Sequence, residues 1–95
     1  MTRLEVSNHI KRFPGQYGWY YVELEDSMSK DLRPILSSLW PALLKAEFTV
    51  ESTVWRSSIM PIKDGPLFIA LPSKVRKAEG LDVGDKINIS FELRV

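Results

Sequence analysis

One stretch constrains the fold more than any other: Leu67 to Leu93, reading LFIALPSKVRKAEGLDVGDKINISFEL. Leu67, Ile69 and Leu71 alternate with Phe68 and Ala70, so a strand here buries one face firmly and the other in part. Pro72 ends that strand and suits the first turn of a helix, because its φ is already helical and its missing N–H would have no partner there. Val75 and Ala78 fall on one helical face, with Lys74, Arg76 and Lys77 on or beside the other. Gly80 stands where a left-handed C-terminal residue is needed, and Leu81 can pack back in a Schellman-type stop. Gly84 and Asp85 make the next tight turn, after which Ile87, Ile89 and Phe91 alternate with polar residues as a half-exposed strand.

The preceding residues read as further strands. Leu4 and Val6 alternate with Arg3, Glu5 and Ser7 in a first strand reaching toward Ile10, and Phe13 to Gly18 is a loop interrupted by Pro14 and two glycines. Trp19 to Leu24, WYYVEL, is aromatic and β-branched enough for a strand. Glu25, Asp26 and Ser27 suit a helix start, but Pro34 and Pro41 interrupt the helical spacing of Leu32, Ile35, Leu36, Leu39 and Leu43. Two short helical pieces are therefore expected, with Trp40-Pro41 leading irregularly into the next strand. Phe48 and Val50 begin a run that continues through Trp55 and Arg56 to Ile62, either as two strands with a turn near Ser52 or Thr53 or as one long bent strand. Asp64-Gly65 is the signal of a hairpin returning to Leu67.

Laying Tyr21 to Lys30 over Phe68 to Lys77 aligns strand with strand and helix start with helix start. After an insertion, Phe48-Thr49-Val50 falls over Ile87-Asn88-Ile89. The pattern implies two half-repeats, about 19–53 and 67–93, in a single domain spanning 1–95. The expected fold is mainly β: a small closed pseudo-barrel of about six strands with short helical caps and a pseudo-two-fold repeat, since closure removes exposed strand edges.

The chemistry is sparse. Thirteen basic and twelve acidic side chains leave a net charge of +1, no footprint for a polyanion, and residues 71–95 carry five basic against four acidic groups. There is no cysteine, hence no disulfide, thiolate site or cysteine nucleophile. His9 is the only histidine, and a serine triad would have to bring it to Ser57 or Ser58. Glu23 and Glu25 share a strand face and could pair with Asp26, although solvated or capping carboxylates are the simpler reading. Without a glycine-rich phosphate loop or zinc spacing, no cofactor and no metal are expected. The start MTRLEV is neither a signal nor a transit sequence, and Ile35 to Ala46 is too short and too interrupted to cross a membrane, so a cytoplasmic protein without membrane contact is expected.

From Trp19 to Leu93 the chain resembles the bacterial domain-of-unknown-function family nineteen-oh-five. The likeness lies in Trp55-Arg56-Ser57-Ser58-Ile59-Met60-Pro61, then Asp64-Gly65, Val75-Arg76-Lys77-Ala78 and Gly84-Asp85. The second half is also similar, more weakly, to the swapped-hairpin DNA-binding domains of AbrB and MazE type. Both resemblances imply a double-split β-barrel, and neither supplies an activity. The residues expected to bind a ligand or partner are Trp40, Trp55, Arg56, Lys74, Arg76 and Lys77, with Trp40 as the partner-facing ring. Gly65, Pro72, Gly80, Gly84 and Asp85 hold turns and caps, and Arg76 is expected to bridge to Asp85 or to turn carbonyls. The expected function is a non-catalytic binding or protein-interaction module, monomeric or homodimeric, taking an unknown protein partner or a small ligand. A DNA-binding regulator or antitoxin is the first alternative and a carboxylate-based enzyme a distant second.

Overall fold

The computed structural model describes residues 3–15, 18–39, 42–62 and 65–94. In chain order the elements are β1 (Arg3–His9), β2 (Lys11–Arg12), β3 (Tyr20–Glu23), α1 (Asp26–Leu39), β4 (Leu44–Val50), β5 (Thr53–Pro61), β6 (Leu67–Ala70), α2 (Ser73–Glu79) and β7 (Lys86–Leu93). The seven strands form one antiparallel sheet in the order β1-β7-β4-β5-β6-β3-β2, curled into a nearly closed barrel.

Closure depends on Ile10. The two ends of the sheet, β1 and β2, are consecutive in the chain and separated by this residue alone, β1 pairing with β7 and β2 with β3. Ile10 leaves the ladder: its N–H donates to the Asp85 carbonyl at 2.8 Å and its carbonyl accepts from Gly84 N–H at 2.9 Å. Its side chain is fully buried. One strand was expected here and two are found, because the bend spends the backbone of Ile10 on the Gly84–Asp85 turn.

The core is built by alternation. Leu44, Ala46, Phe48 and Val50 of β4 point inward with Ile87, Ile89 and Phe91 of β7, and Val6, Val22, Ile59 and Ile69 complete the interior. Phe48 and Phe91 oppose each other in the ladder with ring centroids 5.7 Å apart. Each such side chain contributes roughly 1.5–3 kcal/mol of transfer free energy.

The β4–β5 run is a hairpin rather than a bent strand. Val50 pairs with Thr53, and Glu51 in the two-residue turn has φ 51°. Asp64 lies outside the described residues, but the β5–β6 hairpin that it was to mark is present, Gly65 N–H donating to Ile62 O at 3.0 Å. Pro72 sits one position before its expected place, at the N-cap of α2, where its carbonyl accepts from the Val75 and Arg76 N–H groups. Gly80 is left-handed (φ 63°, ψ 39°), and its N–H and that of Leu81 both donate to Arg76 O, closing the helix. Gly84 has φ 93° and the Asp85 carboxylate accepts from Asp82 N–H at 2.9 Å, so both hold the turn as expected.

Two helical expectations are corrected. Pro34 does not split the segment: α1 is one helix of 14 residues with Pro34 inside it. Ser29, Leu32 and Leu36 are buried on one face while Lys30 and Pro34 are exposed, so the carbonyl that a proline leaves without a donor is on the side that water reaches. In α2 only Val75 is buried; the seven-residue helix leaves Ala78 exposed.

The segments β3-α1-β4 and β6-α2-β7 share an order of elements. β3 pairs antiparallel with β6 and β4 with β7, but the first helix is twice the length of the second. Among the described residues no helix is long and apolar enough to cross a membrane.

Candidate functional site

The site arises from unequal strand lengths. β5 pairs with β4 from Thr53 to Ile59, yet with β6 only from Ile59 to Pro61. Past that point β6 gives way to Pro72 and α2, so the Thr53–Ser58 half of β5 has no strand on that side and α2 packs there instead. At the C-terminal end of α2, Glu79 accepts from the Ser52 and Thr53 hydroxyls and ties the helix to the β4–β5 turn.

Beside α2 the split opens into a groove of about 510 Å³. Its walls are Trp19 and Tyr20, the Ser57 and Ser58 segment of β5, Leu71 at the end of β6, and Arg76. Tyr20 shares the inward parity of Val22 and Leu24 but sits at the first position of β3, where its ring is half-buried. The Arg76 guanidinium lies over that ring, 3.7 Å from its centroid, and Nε donates to the Leu71 carbonyl at 3.2 Å. Stacking and the bond together fix the plane of the guanidinium. Arg12 approaches the same ring at 5.8 Å. Trp19, 53% exposed, forms part of the rim.

Of the two anchors expected for Arg76, Asp85 is not used, its carboxylate capping Asp82 instead, and a backbone carbonyl, that of Leu71 where β6 leads into α2, is. Among the described residues no carboxylate lies within ion-pair distance of the Arg76 guanidinium. A half-buried cation that lines the groove is therefore held in place by an aromatic face and a carbonyl, with no carboxylate partner among the described residues. That arrangement can receive an anion through charge-assisted, bidentate hydrogen bonds.

The other expected residues separate. Lys74 and Lys77 are exposed on α2 and do not wall the groove, whereas Arg76 is folded onto Tyr20. Trp55 packs against Phe48 at 5.3 Å, half-buried and not among the residues that line the groove, and its indole N–H is buried with no partner among the described residues. Arg56 pairs with Glu47 at 3.1 Å and borders a smaller cleft of about 230 Å³, shared with Lys45, Arg94, Ser57 and Ser58. Trp40 lies outside the described residues. Tyr21 points to the opposite face of β3 from Tyr20 and stacks on Phe13 at 4.0 Å, and reading WYYVEL only as a strand does not separate the two. Tyr20 is the residue that reading missed, and the parity of Val22 and Leu24 is the signal that identifies it.

Two of the remaining candidates, Glu23 and His9, have structural partners, while Glu25 and Asp26 are exposed. Lys11 Nζ donates to the Glu23 carboxylate at 2.6 Å, and that hydrogen bond, reinforced by the charge of Glu23, raises the Lys11 pKa above its ordinary 10.5. His9 is exposed, its Nδ1 3.0 Å from the Gly84 carbonyl. Among the described residues no group of three or more histidine, aspartate or glutamate side chains is placed to hold a metal ion.

A family model described as Domain of unknown function (DUF1905) matches residues 7–91. No curated protein matches the sequence.

Proposed function

The chain belongs to the DUF1905 family, and we propose that it is a non-catalytic binding domain whose groove between β5 and α2 captures an organic anion with a flat or apolar body. One observation carries the reading: the Arg76 guanidinium is stacked 3.7 Å over Tyr20, anchored through Nε to Leu71 O, and lacks a carboxylate partner among the described residues. Holding a cation half out of water costs free energy unless a counter-charge meets it, and a bound anion would supply that charge. The flat body fits the rest of the groove, where Trp19 and Leu71 offer apolar surface and Ser57, Ser58 and Ser73 offer hydroxyls. The non-catalytic part of the reading is supported by where the titratable groups go. Glu23 is engaged by Lys11 and His9 lies at the Gly84 turn, so neither walls the groove.

The test is calorimetric titration of the intact chain with phenyl phosphate, alongside Arg76→Gln. The variant should bind roughly tenfold to a hundredfold more weakly, the range expected when one charged hydrogen-bonding partner is lost. Equal affinity of parent and variant, or no binding by the parent, would remove the reading.

A further inference from the structure

Two neighbouring cross-strand rows on the outer face of the barrel are charged very differently. In the first, Arg3, Glu92, Glu47 and Arg56 follow one another across β1, β7, β4 and β5. Each carboxylate there has its own arginine, Arg3 on Glu92 and Arg56 on Glu47, both at 3.1 Å. In the second, Lys45 of β4 is paired with Ser58 of β5, and Arg94, just past β7, donates its backbone N–H to the Lys45 carbonyl at 2.8 Å. Lys45 points outward because Leu44 and Ala46 on either side of it are buried. Two cations are thus direct cross-strand neighbours, and among the described residues neither has a carboxylate within ion-pair distance. Like charges placed opposite each other are destabilising in a sheet. The backbone bond from Arg94 to Lys45 nevertheless holds the two residues side by side.

The cleft beside them shares two lining residues, Ser57 and Ser58, with the Arg76 groove. Resting on the proposed capture of an organic anion at Arg76, we infer that Lys45, Arg94 and the Ser58 hydroxyl form a second seat for a phosphoryl group of the same ligand. The ligand class is a flat body carrying two phosphoryl groups. Arginine offers a planar fork, lysine a compact charge and serine a single donor, a set suited to the several oxygens of a phosphoryl group. Lys45 of β4 and Arg76 of α2 lie on either side of β5, so one ligand filling both seats crosses the Ser57 and Ser58 segment of that strand. A nucleoside 3′,5′-bisphosphate has this chemistry, its base facing the Trp19 and Tyr20 rim.

The experiment compares adenosine 5′-monophosphate with adenosine 3′,5′-bisphosphate at matched ionic strength, on the parent chain, on Lys45→Gln with Arg94→Gln, and on Arg76→Gln. The parent should hold the bisphosphate at least tenfold more tightly. The double variant should lose that advantage and keep its monophosphate affinity, and Arg76→Gln should weaken both ligands. Equal affinities on the parent, or an advantage that survives in the double variant, would overturn the second seat and leave the groove reading standing. Binding of both ligands undiminished in Arg76→Gln would instead overturn the groove reading, and the inference with it.

Discussion

Among the described residues Ser29 is a buried polar side chain beside the core, and its removal gives a sharp test of how α1 is attached to the barrel. It is 4% exposed, and its hydroxyl oxygen accepts from the Leu67 N–H at 3.2 Å where β6 begins. Leu67 is itself fully buried, and its carbonyl is already taken by the Leu24 N–H at 2.9 Å. Ser29→Ala therefore leaves a buried N–H without an acceptor, a loss of about 1–3 kcal/mol. The 3.2 Å length places the bond toward the weaker end of that range. Alanine is also the better helix former, which offsets roughly 0.5 kcal/mol. The net expectation is a destabilisation of about 1 kcal/mol, or a melting temperature lower by roughly 4–8 °C for a domain of this size. Urea unfolding followed by tryptophan fluorescence reads it, with exposed Ser27→Ala as the neutral control. A Ser29→Ala chain as stable as the parent, at unchanged denaturant slope, would refute the bond.

Three further perturbations test other parts of the account. Trp55→Phe removes a buried indole N–H that has no partner among the described residues. Stability should hold or rise by up to about 1 kcal/mol, and a clear loss in the same urea assay would show that the N–H is satisfied. Pro34→Ala restores a donor for the Lys30 carbonyl, worth up to about 3 kcal/mol by helix propensity. About 1 kcal/mol is given back through the freer unfolded chain, so calorimetry should show a net gain, and a loss would mean that the proline conformation is needed. The raised pKa of Lys11 makes the Lys11–Glu23 pair a stabilising contact that is fully present below 10.5 and lost as pH rises through the higher folded value. The small stability difference between the parent and Glu23→Gln should therefore be constant below pH 10.5 and shrink as pH rises above it, and a difference that did not shrink would contradict the assigned cause.

Much of the fold was legible because it rests on local rules. Gly80 and Gly84 occupy positive φ where turns were expected, and the inward residues of β4 and β7 follow strict alternation. Pro34 misled because a helix propensity is a local quantity, whereas burial of Ser29, Leu32 and Leu36 along one face is decided by the barrel beneath them. The site was legible in one residue, Arg76. Its partner was not, since a basic residue near an aspartate turn reads as a bridge until the path of the chain shows Asp85 facing Asp82 and Tyr20 lying under the guanidinium. The Arg94–Lys45–Ser58 row joins residues from three separate parts of the chain. Only strand register brings them together, and nothing in their local sequences signals it.

The central claim is that the Arg76–Tyr20 groove receives an anion, and the most direct measurement is a nuclear magnetic resonance titration of the isotope-labelled chain with phenyl phosphate up to about 10 mM, a range that reaches millimolar affinities. The account predicts saturable shifts at the Ser57, Ser58, Ser73 and Arg76 amides and at Arg76 Nε, with the His9–Gly84 turn unmoved. Shifts confined to the exposed Lys74 and Lys77 surface, or none in the groove across that range, would contradict it.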